Sequence, residues 1–441
     1  MKRLRPLALL LLPLLVGCAT YATIENRPLG PAAAAAPGYA MDRPVEVGRR
    51  DDITLVVAFS GGGSRAAALA YGVLQELRDT RIGANGGRRL LDEVDAISAV
   101  SGGSFTAAYY GLHGEATFRD FEADFLRRDL TGDVMQRILN PLRWFTPQGR
   151  TAAAATLYDA TIFKGATFGD LLRRDGPLIV INASDLEAGT RFAFLQDHFD
   201  LLCSDLRSYP LANAVAASSA VPVLFEPMVL ENRAGCVPPV LPQPGNDAPQ
   251  LLQVVEGLRG YADKQQRRYI HLADGGLTDN LGLRAFQETI DLAGGLRPFL
   301  RKIGREPNGH VMVISVDASS NAAAGLGLGL RAPSMLQAID VMSDVQLHRY
   351  NAATLEQMHD SLQRWAREVS TPQRTVQPWL VKVSLRDLPD PGERTRLGKV
   401  TTSFDLKPEE VEALVAAGRA LLRDNPEFRR MLDQPGTANT P

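Results

Sequence analysis

The sequence predicts an α/β fold in which a largely parallel sheet is covered by helices on both faces. Two observations predict it. Short apolar runs recur at 53–59, 94–100, 177–183, 191–196, 268–272 and 311–316, mostly separated by stretches of helical pattern. Strands buried on both faces read as continuous apolar runs, and their alternation with helices is the mark of strand–helix–strand units. The chain of 441 residues, 45% hydrophobic and 22% charged, is also ordinary for a globular protein and long enough for one large α/β domain plus additions.

The N-terminus, MKRLRPLALLLLPLLVGC, sets Lys2, Arg3 and Arg5 before the apolar run Leu7 to Val16. That run is too short to span a bilayer but suits the apolar part of an export signal. It closes on Leu15, Val16, Gly17 and Cys18, which resembles a bacterial lipobox. The resemblance implies a lipoprotein signal over 1–18, with Cys18 as the lipid-bearing first residue of the mature chain; a plain secretory signal or a membrane anchor is the competing reading. Ala19, where an aspartate is associated with inner-membrane retention, favours the outer membrane. Residues 19–50, rich in alanine, proline and arginine, are expected to form a flexible tether. The formal charge of −2 becomes −5 once Lys2, Arg3 and Arg5 are removed. Neither value suits nucleic acid or strong attraction to anionic lipid.

The first strand, Ile53 to Phe59, runs into Gly61, Gly62, Gly63, Ser64 and Arg65 and then an alanine-rich helix to about Leu77. Three glycines expose consecutive backbone N–H groups and make a cradle for an anion. A dinucleotide would want an acidic residue ending the next strand, but Asp79 falls at the end of a helix. No Gly-Lys-Ser/Thr is present for a nucleotide phosphate, so the oxyanion of an acyl-transfer intermediate fits best. The second strand, VDAISAV, breaks at Ser101 before Gly102 and Gly103. A serine at such a strand-to-helix turn projects its hydroxyl clear of the sheet and faces the free N–H groups of the helix that follows. Ser101 is therefore the candidate nucleophile.

Residues 114–170 read as a helical insertion in which Val134, Ile138 and Leu142 form a stripe followed by Trp144 and Phe145, suited to core packing or to a lid or interfacial surface. The strand of YIHLADGGLTDNLG delivers Asp274 to a Gly275-Gly276 turn, where a carboxylate can accept a proton at the carboxyl edge of the sheet. The Gly/Ala-rich run 318–330 suggests a mobile loop closing a catalytic domain of 51–330. Beyond it, a long helix over Met335 to Val369, a strand over Pro378 to Leu385 and an amphipathic helix from Pro408 to about Leu422 make a mainly helical extension, 331–435, without a catalytic signature. Export makes a disulfide between Cys203 and Cys236, 33 positions apart, the expectation; two buried free thiols are the alternative, since bridging needs their Cα atoms within reach.

Together, GGGSR, AVSGG and DGG in this order resemble the patatin-like phospholipase family, and AVAASSAVPVLFEP (214–227) resembles the family's Ala-Ser-Ser-Ala-x-Pro segment beside the site. The resemblance spans roughly 53–283, with Ala99 standing where the elbow usually carries glycine. It implies a three-layer α/β/α patatin-like fold and a serine acyl hydrolase of lipid or other acyl esters. Ser101 would be the nucleophile, Asp274 the base, and Gly61, Gly62, Gly63 and Gly102 the oxyanion hole. Arg65, Gly275 and Gly276 would support them, Arg65 by bracing the loop or touching a phosphate. No cofactor is implied. No metal is either, since the six histidines lack paired ligand spacing.

Two rivals stand beside this expectation. A Ser–His–Asp triad would take its histidine from His310, His348 or His359, none of which falls in a loop after a final strand. A non-catalytic outer-membrane lipoprotein could instead bind lipid or a protein partner on a hydrolase scaffold.

Overall fold

The computed structural model describes residues 23–41, 53–83, 87–129, 132, 149–222, 224–245, 248–319, 330, 332, 334–400 and 405–434. The proposed signal with Cys18, the stripe at 134–145 and most of the 318–330 run lie outside them. Eight strands form the main sheet: β1 (Ile53–Phe59), β2 (Val94–Val100), β3 (Leu178–Asp185), β4 (Thr190–Ala193), β5 (Met228–Glu231), β6 (Tyr269–Asp274), β7 (His310–Asp317) and β8 (Gln377–Ser384). Five of them, in the order β8-β7-β1-β2-β3, pair parallel; the mostly apolar runs predict this for β7, β1, β2 and β3, whereas β8 was expected in a separate extension.

The sheet separates two apolar layers because successive side chains point to opposite faces. Leu55, Val57, Phe59, Met312 and Ile314 face one cluster, together with α1 (Gly63–Asp79) and α2 (Gly102–His113). Ala58 and Val313 face the other, with Leu283 and Ile290 around helix α6 (Arg284–Leu292) and Met358, Leu362 and Trp365 of α7 (Met335–Val369). Between these in sequence lie α3 (Arg150–Tyr158), α4 (Leu211–Ser218) and α5 (Pro249–Gly260). The described part of the 114–170 insertion is helical. Its Phe121, Phe125, Tyr158 and Phe163 pack with Phe105 of α2 into one aromatic cluster.

Two boundaries read from the sequence need correction. The first is the tether. Residues 23–41 are docked rather than free: Arg27–Pro28 pairs antiparallel with Ser204–Asp205. The fully buried Tyr39 accepts the Ile179 N–H at 2.8 Å. Composition hid this because two anchors, Asn26 and Tyr39, hold a segment that is otherwise alanine and proline. The second is the boundary at 330. β8 is the parallel edge strand beside β7, and α8 (Pro408–Arg423) packs on α1 at a crossing of two glycines. A Cβ on Gly72 would stand 2.2 Å from the Val415 carbonyl oxygen, and one on Gly418 2.4 Å from that of Leu69. Arg423–Glu76 and Arg419–Asp79 ion pairs, both 2.7 Å, flank the crossing. The extension is thus part of the core that seats the glycine-rich loop.

Among the described residues no helix is long and apolar enough to cross a membrane.

Candidate active site

Ser101 stands between β2 and α2 with φ 50° and ψ −123°, a conformation costly for a residue with a Cβ. Close contacts around it impose that turn. A Cβ on Gly102 would fall 1.9 Å from the Gly63 carbonyl oxygen, and one on Gly103 2.7 Å from the Phe59 Cβ. Only glycine lets the first turn of α2 lie directly on the GGG loop. Ala99, the departure from the family pattern, is fully buried within β2, and the elbow forms around it.

The aspartate arrives by a different route from the one expected. β6 is antiparallel to β3, so Asp274 does not end a parallel strand. Ala183 of β3 pairs with both Asp274 and Phe192, and Ile181 pairs with Ala99 while its carbonyl accepts the Phe194 N–H. A strand residue has only two lateral neighbours, which puts β4 along one edge of β3 and both β2 and β6 along the other. The carboxyl ends of β2 and β6 therefore meet head to head, and Asp274 comes down onto Ser101. Gly275 makes the approach possible: a Cβ there would lie 2.5 Å from the Asn182 carbonyl oxygen.

Burial pushes the Asp274 carboxyl up to about 6. The Gly276 N–H, 2.8 Å from its Oδ1, and the Ser101 hydroxyl oppose that shift without cancelling it. The carboxyl is thus held against the serine hydroxyl, able to change protonation near neutral pH.

The donors around Ser101 divide into occupied and unoccupied groups. The Gly61 N–H donates to the Asn280 carbonyl at 3.1 Å, which removes it from the expected oxyanion set. Among the described residues no acceptor takes the N–H groups of Gly62, Gly63 or Gly102. These three stand at the starts of α1 and α2, where free N–H groups and the helix dipoles favour negative charge. Arg65 does not turn toward the serine. It is buried, donates from Nε to the Ala318 carbonyl at 2.8 Å and from Nη1 to the Val400 carbonyl, and so braces the loop. Desolvation lowers its pKa to about 10, which leaves it charged at neutral pH.

A hub that sequence reasoning missed lies beneath the elbow. Ser218, at the end of α4, accepts the Ser101 backbone N–H at 2.8 Å, donates to the Asn182 carbonyl at 2.6 Å and bonds the Ser104 hydroxyl at 3.0 Å. Its own carbonyl accepts the Gly275 N–H, and Ala220 accepts that of Asp274. One short segment therefore fixes the nucleophile and the aspartate together. The ASSA run pointed to the segment but not to which serine does this. Asn182 extends the support, donating to Ser98 Oγ and to the Ala99 carbonyl and accepting from Arg191 of a buried Arg191–Glu288–Arg284 chain.

His310 begins β7 opposite Ile53, at the far end of the sheet from Ser101. His348 lies on α7 beside Asp344 and Arg386. His359 is also on α7.

The sequence profile of the patatin-like phospholipase family matches residues 57–286, just over half of the chain, and takes in Ser101, Asp274 and the glycine loop. This chain belongs to the patatin-like phospholipase family. No curated protein matches the sequence. Among solved structures, this family member is similar to human GIVD cytosolic phospholipase A2, with TM-score 0.40 and 15% identity over 87% of this chain. It spans 63% of that protein's length. VipD from Legionella pneumophila matches with TM-score 0.29 and 12% identity, over 84% of this chain and 67% of VipD. The SpcU–ExoU complex of the Pseudomonas aeruginosa type III secretion system matches with TM-score 0.23 and 14% identity, over 87% of this chain and 74% of the other.

Cys203 and Cys236 are joined by a disulfide with Cα atoms 5.4 Å apart. Among the described residues no cluster of three metal-ligating side chains occurs.

Proposed function

We propose that the protein is a membrane-anchored serine acyl hydrolase that cleaves lipid esters through a Ser101–Asp274 dyad. The observation that carries this reading is the buried Asp274 carboxyl against the Ser101 hydroxyl, together with three N–H groups at the starts of α1 and α2 that find no acceptor among the described residues. Ionised Asp274 accepts the proton of Ser101 Oγ as that oxygen attacks the ester carbonyl. The carbonyl oxygen becomes an oxyanion held by the N–H groups of Gly62, Gly63 and Gly102, each such donor being worth about 3 to 4 kcal/mol. Asp274 then returns the proton to the departing alcohol, leaving an acyl-serine. In the second half Asp274 deprotonates a water, which attacks the acyl carbon. The proton passes back to Ser101 Oγ as the fatty acid leaves.

The lipobox-like Cys18 supports a lipid anchor, and Ala19 supports the outer membrane. The reading is tested by turnover of a short-chain p-nitrophenyl ester and by labelled-palmitate incorporation. Ser101→Ala should lose the first and keep the second. Cys18→Ser should lose the second and accumulate as precursor. Near-wild-type turnover by Ser101→Ala would remove the proposed mechanism.

A further inference from the structure

We propose that the proline-rich loop between β5 and α5, through Val237 and Val240, is a bilayer-contacting surface that works beside the Cys18 anchor and sets the catalytic edge of the sheet against the membrane. The inference rests on the lipid-anchored reading above and adds to it which face of the molecule meets the lipid.

The docked N-terminal segment enters the body at the end of β5. Buried Asn26 donates from Nδ2 to Ser204 Oγ and to the Glu231 carbonyl, both at 2.8 Å, and accepts the Glu231 N–H at 2.9 Å. Arg233 donates to the Asn26 carbonyl from Nε and Nη2, and the Leu29 N–H donates to the Cys203 carbonyl at 2.8 Å. The chain is therefore clamped to the end of β5, where the loop begins. Seven residues lie between Cys18 and Asn26, so eight Cα steps join them. Even fully extended they reach no more than about 28 Å. A lipid on Cys18 thus keeps the end of β5, and the loop that leaves it, close to the bilayer surface.

The loop presents two exposed apolar side chains on a firm base. The sequence Cys236-Val-Pro-Pro-Val-Leu-Pro-Gln-Pro-Gly245 leaves Val237 95% and Val240 98% exposed. The loop is held at its base. Cys236 is bonded to Cys203, Leu241 packs against the core, and Arg259 Nη2 donates to the Pro242 carbonyl at 3.1 Å. Pro238, Pro239, Pro242 and Pro244 fix their own φ angles, so ordering the loop at an interface costs little further chain entropy.

β6 sets the orientation of the loop relative to the site. β6 runs from exposed Tyr269 down to Asp274, and Tyr269 pairs with Glu231. The loop therefore rises from the edge that carries the site, about 17 Å above Asp274 along the strand. Exposed Leu186, beside His271, and Leu277, just past the aspartate, lie on that same edge. Val237, Val240, Leu186 and Leu277 thus lie toward the edge at which the tether enters.

The test uses the full lipidated chain reconstituted in phosphatidylethanolamine/phosphatidylglycerol vesicles containing brominated phosphatidylcholine. In Val240→Trp, the emission gained over wild type should be quenched by the bromines and shielded from aqueous acrylamide. The double variant Val237→Asp/Val240→Asp should hydrolyse a soluble short-chain ester at the wild-type rate but vesicle lipid at least about tenfold more slowly. Equal quenching by acrylamide with and without vesicles, or vesicle hydrolysis unchanged in the double variant, would overturn the proposal. So would a dimer, seen by light scattering, that the two aspartates dissolve while the bromines quench nothing. An unmodified Cys18 in the mature chain mass removes the short leash and overturns it too. A wild type inactive on the soluble ester refutes the hydrolase reading instead, and leaves the tryptophan result standing.

Discussion

The two strand ends that meet at the site are built in opposite ways. At the end of β2 the chain fixes geometry. Ser101 is held at positive φ by glycines whose replacement would collide with backbone, and its N–H is tied to Ser218. At the end of β6 the backbone is relaxed, with φ −63° at Gly275, and burial does the work by raising the carboxyl. One half of the proposed dyad is organised by sterics and the other by desolvation. They should therefore fail differently.

The sharpest contrast is between Ser101→Ala and Asp274→Asn. Both should lower kcat by about 10⁴-fold or more in a short-chain ester assay. Their stabilities should part. The Asp274 carboxyl is raised above its ordinary value, so its neutral form contributes stability that is present below pH about 4 and is lost as pH rises through about 6. Replacing it with a neutral amide should raise stability at pH 7 by up to about 3 kcal/mol, visible as a higher Tm. Ser101→Ala keeps the buried carboxyl and removes a hydroxyl that favours its ionised form, so it should not gain that stability. Equal melting temperatures for Asp274→Asn and wild type would break the contrast.

Gly102→Ala attacks the steric half. Its Cβ has no space against Gly63, so α2 must shift and misplace a donor of the oxyanion hole. A loss of about 10²- to 10³-fold in kcat with KM little changed is expected, and wild-type kcat would show that the loops are not held in contact. Ser218→Ala should cost less in rate and more in stability. It strands the Ser101 N–H and the Asn182 carbonyl, each worth about 1 to 3 kcal/mol when left buried and unpaired, and a thermal melt reads it. Smallest in its effect on rate is reduction of Cys203–Cys236. The chain-entropy account gives about 4 kcal/mol for closing a loop with this separation of 33 residues. A thiol count on denatured, unreduced protein should find neither cysteine free, and reduction should lower Tm while soluble-ester turnover changes little.

The parallel part of the fold was legible because strands buried on both faces carry mostly apolar runs, as β1 (ITLVVAF) and β2 (VDAISAV) do. The elbow was legible because tight turns demand glycine and serine in a set order. The direction of β6 was not, since YIHLAD reads alike in either orientation and only its pairing with Ala183 decides. Gly61 was indistinguishable from Gly62 and Gly63 by composition; the Asn280 carbonyl that occupies its N–H comes from a distant turn. Ser218 was hidden for the same reason, as its partners Ser101 and Asn182 lie 117 and 36 residues away. The N-terminal docking rests on Asn26, Tyr39 and backbone pairing with distant residues, in a segment whose composition otherwise looks like linker.

The most direct test of the dyad is the pH dependence of fluorophosphonate labelling, with the modified residue located by peptide mass. A single adduct on Ser101 is expected, its rate falling about tenfold per pH unit below about 6 as Asp274 takes up a proton, and Asp274→Asn should label slowly with no limb there. An adduct elsewhere, or a limb that survives Asp274→Asn and vanishes with His310→Ala, His348→Ala or His359→Ala, would contradict the Ser101–Asp274 account.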